Sequence, residues 1–358
     1  MKKKLVGMLA TATLLTMALA GNVQAAEIRS VGPDGEAAVD ASTIELTDDQ
    51  IAQIKEGGYT AAICLHYGGN DWSTSQQKGL EDTFGELGIE IVAVTDANFS
   101  AETQVSNIET VMAKKPDILV SIPTDATATA DAYKQAAAAG IKIVFMDQRA
   151  DGLEAGKDYV SVVSADNYGN GYASGTVLGD ALGGKGKVAM VYYDANFAPT
   201  NQRDEGFRDA MENYPDIEIV TEQGFTDESG CAEQGDAILT QFPNIDGIYA
   251  SWDVPMEGVL SAVRAAGMEG KVTLACNDLG NNVAREIASG NIAGGGAQMP
   301  YDQGVAEAKL AALALLGEET PSYVAVPAET VTHENVLEAY TDVYHVETPD
   351  WLKEAYVE

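Results

Sequence analysis

Residues 118–147 read ILVSIPTDATATADAYKQAAAAGIKIVFMD. Two short apolar runs, Ile118 to Ile122 and Ile141 to Met146, enclose an alanine-rich stretch from Ala126 to Ala139. Alanine is the strongest helix former, and the apolar runs have the length of strands. Gly140 follows the last alanine, where a helix end needs a residue that tolerates left-handed backbone. Neither run alternates polar with apolar, the pattern of a strand covered on both faces. Strand, helix and strand in this order make a βαβ unit, whose strands are parallel because a helix carries the crossover.

The same unit recurs on both sides. Upstream, Tyr59 to Leu65 precedes a helical pattern with Leu80, Phe84 and Leu87 on one face, and Ile89 to Val94 precedes one with Val105, Ile108 and Met112. Downstream the series restarts at Tyr159 to Val163 and continues through Val188 to Tyr192, Ile217 to Val220, Ile248 to Ala250 and Val272 to Cys276. A helix over about 203–213 turns Phe207 and Met211 inward, and another near Pro255 carries Met256, Val259, Leu260 and Val263. Gly88 and Gly267 close their helices as Gly140 does. The expectation is an α/β protein built from one unit used twice, each copy a parallel sheet between helices.

The amino terminus bears on the compartment. Lys2, Lys3 and Lys4 precede an apolar stretch from Leu5 to Ala20, and Val23-Gln24-Ala25 supplies small residues beyond it. That order is a secretory signal peptide, with cleavage expected after Ala25 and residues 26–58 left as a polar leader. No cysteine follows the apolar run, so a soluble periplasmic protein is expected rather than a lipid-anchored one. The formal charge is −34, and loss of the three lysines would take it to −37. Such a field repels nucleic-acid phosphates and anionic substrates. Cys64, Cys231 and Cys276 show no metal spacing with His66, His333 and His345, and Cys64 and Cys276 sit in apolar runs as buried hydrophobes would. No metal, cofactor or nucleic-acid partner is expected.

Ligands of parallel sheets bind beyond the carboxyl ends of the strands. There the sequence places His66, Tyr67, Asn70 and Trp72; then Asp147 and Gln148; then Phe197 and Arg203; then Trp252; then Asn277 and Asp278; then Gln298 and Tyr301. Aromatic faces suit the C–H surfaces of a polyol, while carboxylates, amides and a guanidinium hold its hydroxyls. Asp, Asn and Gly are also ordinary loop and capping residues, so the weight lies in their recurrence at one end of several strands.

These residues carry a resemblance. Asn70-Asp71-Trp72, Ile122-Pro123-Thr124-Asp125, Val144-Phe145-Met146-Asp147, Ser164-Ala165-Asp166-Asn167, Arg203-Asp204-Glu205-Gly206-Phe207, Trp252-Asp253, Asn277-Asp278 and Ala297-Gln298-Met299-Pro300 occur in an order similar to that of the sugar-binding proteins of ABC transporters related to ribose-binding protein. The resemblance runs from about Tyr59 to Val326. It implies the type I periplasmic-binding-protein fold: two similar three-layer lobes joined by a three-strand hinge near Ser164, Gln298 and Ala325. One lobe would be 59–164 with 299–325, the other 165–298 with 326–358. By the same resemblance the ligand site is Asn70, Trp72, Asp147, Gln148, Arg203, Trp252, Asn277, Asp278 and Gln298, with no catalytic residue. Ribose binders carry Arg where Gln148 stands, Asn where Trp252 stands and an aromatic where Asn277 stands. The implied partners are a sugar or polyol and an ABC permease in the inner membrane, with the binding protein a monomer. A sensor for a chemoreceptor or kinase would use the same site. A glycoside-processing enzyme needs a carboxylate pair that the sequence does not single out. Gly183-Gly184-Lys185-Gly186-Lys187 lacks phosphate-loop spacing.

Overall fold

The structure, a computed structural model, describes residues 27–357, so the expected signal segment lies outside the described residues. Thirteen strands fall into two sheets. The first contains β1 (Val39–Asp40), β2 (Thr60–Leu65), β3 (Glu90–Asp96), β4 (Ile118–Ser121), β5 (Lys142–Met146), β6 (Ser161–Ala165) and β12 (Tyr323–Val326), in the order β1-β12-β6-β5-β4-β2-β3. All its pairings are parallel. The second contains β7 (Lys185–Tyr193), β8 (Asp216–Phe225), β9 (Gly247–Ala250), β10 (Thr273–Cys276), β11 (Gly294–Ala297) and β13 (Glu329–Thr332), in the order β13-β11-β10-β9-β7-β8. Only its β11–β13 pairing is antiparallel.

Helices cover both faces of each sheet. The first sheet has α1 (Asp48–Gly57), α2 (Asp71–Leu87), α3 (Ala101–Ala113), α4 (Ala130–Ala138) and α10 (Pro300–Leu315). The second has α5 (Asn167–Ala181), α6 (Ala198–Met211), α7 (Cys231–Gln241), α8 (Asp253–Ala265), α9 (Asn281–Ala288), α11 (Val336–Tyr344) and α12 (Asp350–Ala355). Alternate residues of β2 serve two cores. Ala61, Ile63 and Leu65 join Leu80, Phe84 and Leu310 on one face, and Ala62 and Cys64 join Ile108, Tyr133 and Phe145 on the other. Each fully buried Ile or Phe contributes about 1.5–3 kcal/mol over its exposed state. This two-sided burial is why the strands read as unbroken apolar runs.

Some boundaries differ from the sequence reading. The alanine-rich helix begins at Ala130, not Ala126, because the Asp125 carboxylate accepts the N–H groups of Thr127 and Ala128 and holds a turn ahead of it. The last strand before Gln298, which the sequence reading did not delimit, is the glycine run of β11. A Cβ at Gly295 would lie 1.7 Å from the Cys276 carbonyl oxygen, so this strand passes where no side chain fits. Residues 26–58, read as a leader apart from the lobes, carry β1 at the edge of the first sheet and a buried Ile54 on α1.

The chain crosses between the sheets three times, from β6 to α5, from β11 to α10 and from β12 to β13. Beside the first crossing the amino-terminal segment touches both lobes. Asp166, the N-cap of α5, accepts the N–H groups of Arg29 and Ser30 at 3.0 and 2.8 Å. Tyr168 donates its N–H to Ser30 Oγ, Gln202 donates Nε2 to the Val31 carbonyl, and Arg29 lies over the Tyr172 ring. On the other side Arg149 Nη2 donates to Asp34 at 2.7 Å. Cys64, Cys231 and Cys276 are buried free thiols, and no helix among the described residues is long and apolar enough to cross a membrane.

Candidate ligand-binding cleft

One cavity collects residues from the carboxyl ends of strands in both sheets. The first lobe supplies His66 and Tyr67 after β2, Phe99 after β3, Ile122 after β4 and Asp147 after β5. The second supplies Tyr193 at the end of β7, Trp252 after β9, Asp278 after β10 and Gln298 after β11. The starts of α2 and α6 add Asn70, Trp72, Phe197, Thr200 and Arg203. The space free of protein atoms is about 490 Å³, part of it continuous with solvent at the mouth.

Asp147 and Asp278 occupy equivalent places in the two lobes. Each has left-handed backbone, with φ of 53° and 68°. Aspartate tolerates that conformation better than most residues, and such strain concentrates at functional sites. Each sends its N–H to the neighbouring strand nearer the crossings: Asp147 to the Val163 carbonyl at 2.7 Å, Asp278 to the Gly296 carbonyl at 2.8 Å. Thus one strand end aims one carboxylate into the cavity, twice.

Arg203 joins these groups. It is buried on α6, which reaches it by packing tightly on α5: a Cβ at Gly171 would lie 1.8 Å from the Arg203 carbonyl oxygen. Arg203 Nε donates to Asn167 Oδ1 at 2.9 Å, and Nη1 donates to the Ser251 carbonyl at 3.1 Å and to Asp278 Oδ2 at 3.0 Å. Gln298 Nε2 donates to the other Asp278 oxygen at 2.9 Å. Burial opposes the charge on Arg203, but Asp278 and Asp147 outweigh it and its pKa is raised. Asp147 Oδ1 accepts from Ser164 Oγ at 2.8 Å and Gln303 Nε2 at 3.2 Å, while Oδ2 takes no hydrogen bond from the described residues. Burial pushes the Asp147 carboxyl up to about 6, against the pull of Ser164 and Arg203.

Rings form the rest of the wall. Trp72 packs edge-on to His66 with its indole N–H unpartnered, and Trp252 packs edge-on to Tyr193 with its N–H donated to Glu228 at 2.9 Å. His66 of the first lobe stacks on Phe197 of the second, ring centroids 5.9 Å apart. Burial lowers the His66 pKa to about 3, so this imidazole is neutral. Tyr67 stacks on Phe99 at 4.2 Å.

Seven of the nine expected ligand residues line this cavity: Asn70, Trp72, Asp147, Arg203, Trp252, Asp278 and Gln298. Asn70 is at the same time the N-cap of α2, accepting the Ser73 N–H at 2.8 Å. Two expectations are corrected. Gln148 turns away: its Nε2 donates to the Pro123 carbonyl at 2.8 Å and its Oε1 accepts the Ala198 N–H from the other lobe at 3.2 Å. Asn277 is wholly buried in the second lobe, held by Tyr249, Ser251 and Ser174. Each stands one residue from a cavity aspartate, and the left-handed backbone at that aspartate breaks the strand period that would have given its neighbour's direction. Sequence reading had His66, Tyr67 and Phe197 at strand ends without assigning them. It missed Tyr193 and Phe99, although Asn98 just before Phe99 is a turn residue. Among the described residues no group of His, Cys, Asp and Glu could hold a metal ion. The lobes also meet at the rim, where Asp71 at the start of α2 accepts from Asn281 N and Nδ2 at the start of α9, at 2.7 and 2.8 Å.

Two α/β lobes, three chain crossings and one cavity between opposed strand ends define a solute-binding protein of the hinged kind. The model of the periplasmic binding protein domain matches residues 61–319, and the chain belongs to that family. The D-ribose/D-allose-binding protein of Pseudomonas aeruginosa is 29% identical over 273 residues, 73% of this chain and 83% of that protein. An ABC transporter periplasmic solute-binding protein from Actinobacillus succinogenes, solved with bound D-allose, has a TM-score of 0.72 at 29% identity, covering 78% of this chain and 99% of that one. A solute-binding protein from Agrobacterium vitis bound to α-D-tagatopyranose has a TM-score of 0.73 at 26% identity, covering 80% and 98%.

Proposed function

We propose that this protein is the periplasmic solute-binding component of an ABC importer, which holds a sugar or polyol between its lobes, hands it to a permease in the inner membrane and leaves it chemically unchanged. The observation that carries the reading is the composition of one inter-lobe cavity. Aromatic faces from both lobes surround Asp147, Asp278, Arg203 and Gln298, which together offer hydroxyls both acceptors and donors. The sugars held by the Actinobacillus and Agrobacterium proteins agree with it.

In this reading the lobes, residues 59–164 with 299–325 and 165–298 with 326–358, close about the three crossings. Ligand favours closure through contacts made to both: Asp147 and Trp72 on one side, Arg203, Asp278 and Trp252 on the other. The mature chain begins at Ala26, which N-terminal sequencing of exported protein tests. A thermal-shift series with D-allose, D-tagatose, D-ribose and myo-inositol tests the binding. A bound member at 100 times its dissociation constant stabilises the fold by about 2.7 kcal/mol. The sugar recovered from the complex is expected intact; a hydrolysed or phosphorylated product overturns the reading.

A further inference from the structure

The cavity holds more negative charge than a neutral polyol requires. Its charged lining consists of Asp147, Asp278 and Arg203, since His66 is buried without a cationic form. Arg203 and Asp278 neutralise one another at 3.0 Å, and both Asp278 oxygens are occupied, one by Arg203 and one by Gln298. Asp147 has no such partner: its two hydrogen bonds come from the neutral Ser164 and Gln303 and fall on the same oxygen. Asp147 lines the same cavity as the rings of Tyr67, Trp72, Phe99, Phe197 and Trp252. Gln148, next to Asp147 in the chain, brings no positive charge: its amide is tied to the Pro123 carbonyl and the Ala198 N–H outside the cavity. Nearby, Arg149 faces Asp34 and the Leu153 carbonyl instead.

A carboxylate without a cationic hydrogen-bond partner in a ring-lined cavity is complemented best by a cation. Ring faces are negative and attract cations, and an ammonium offers hydrogen bonds to the oxygen that takes none from the described residues. Burial makes both contributions larger than they are in water. We propose that the cavity selects a cationic polyol, an amino sugar or amino alditol in its ammonium form, with the ammonium on Asp147 and the rings and the hydroxyls on the Arg203–Asp278–Gln298 group. This rests on the reading of the cavity as a polyol site and specifies its ligand class.

The test is calorimetry on the full mature protein at pH 7.5 with matched sets: D-glucosamine, D-glucose and N-acetyl-D-glucosamine; the galactose and mannose equivalents; and 1-amino-1-deoxysorbitol with sorbitol. At least one amine is expected to bind ten-fold or more tightly than its neutral parent, with the gain lost on N-acetylation. Asp147→Asn is expected to abolish the preference of the site for the amine over its neutral parent, read as the ratio of the two affinities; a preference that survives in the folded variant overturns the placement of the ammonium on Asp147. The N-acetyl comparison needs no variant and stands even where Asp147→Asn folds poorly. Neutral parents that bind as tightly as every amine overturn the proposal and leave the polyol reading intact. Binding of neither kind overturns both.

Discussion

Arg203 is held by Asn167, Ser251 and Asp278 before any ligand arrives, so its guanidinium is oriented in advance. Removing one partner of such a pair differs from removing both. Asp278→Ala leaves a buried, unpaired guanidinium, a change that costs about 3–5 kcal/mol in stability where a buried ion pair is broken. Arg203→Met with Asp278→Leu is expected to recover much of that stability but none of the binding, as melting curves and calorimetry would read in parallel. A binding loss from Arg203→Ala alone is expected at about one to two decades, from charge-assisted bonds worth about 1.5–3 kcal/mol. Asp147 adds a pH term. Its ordinary value of 3.8 is raised to about 6, chiefly by burial, so the native state holds the proton more tightly than the unfolded chain. The groups that face it are Ser164 from β6, Gln303 and Glu307 from α10, and Arg203 and Asp278 across the cavity, with Glu307 itself raised well above its usual range by burial. Stability of the ligand-free protein therefore rises as pH falls from about 6 towards 3.8, and the deprotonated Asp147 opposes folding above that window. Asp147→Asn is expected to stabilise the ligand-free protein at pH 7.5 by up to about 3 kcal/mol, as two pKa units convert to that order. Asp204 is also raised to about 6, so the readout is the difference between wild-type and variant melting curves across pH 4–8.

The helices and strands differ in how much their sequences disclosed. β4, α4 and β5 were legible because the covered strands are unbroken apolar runs and the helix is rich in alanine. β11 is three glycines and an alanine, which carry no side-chain period to read. Its reason is visible only in three dimensions, where Gly295 passes the Cys276 carbonyl and Gly296 passes the Asn170 backbone. Gly295→Ala is expected to destabilise by about 1–3 kcal/mol, the usual cost of overpacking, measured by urea denaturation. β1 escaped notice because two residues are too few for a pattern, and its edge position depends on β12, nearly 300 positions later. The site was legible for the same reason as the fold: residues just past strand ends converge, whatever the ligand. The direction of each side chain was not legible, which is why Asn277 and Gln148 were expected in the cavity that Asp278 and Asp147 line without them. At the rim, α2 and α9 touch through Asp71 and Asn281, a contact available only while the lobes are together. Asp71→Ala is expected to raise the ligand dissociation rate a few-fold in stopped-flow fluorescence and to leave the melting temperature of the ligand-free protein unchanged.

The molecule as a unit joins two stiff bodies by three covalent crossings and carries a formal charge of −34 along its full length. The amino-terminal segment adds a non-covalent link, fastened to Arg149 on one lobe and to Tyr168, Tyr172 and Gln202 on the other. Three crossings alone would define an axis for hinge motion without fixing its rest angle. A tether fixed on either side of that axis gives the swing a rest angle and a restoring torque, as a spring does to a door. Cutting residues 27–34 from the mature chain should leave the cavity's composition unchanged and widen the distribution of angles in the ligand-free protein. Small-angle scattering would read this as a larger radius of gyration without ligand and an unchanged one with it. The effect expected of the amino terminus is therefore on the ligand-free state, the state in which an encounter with solute becomes a capture.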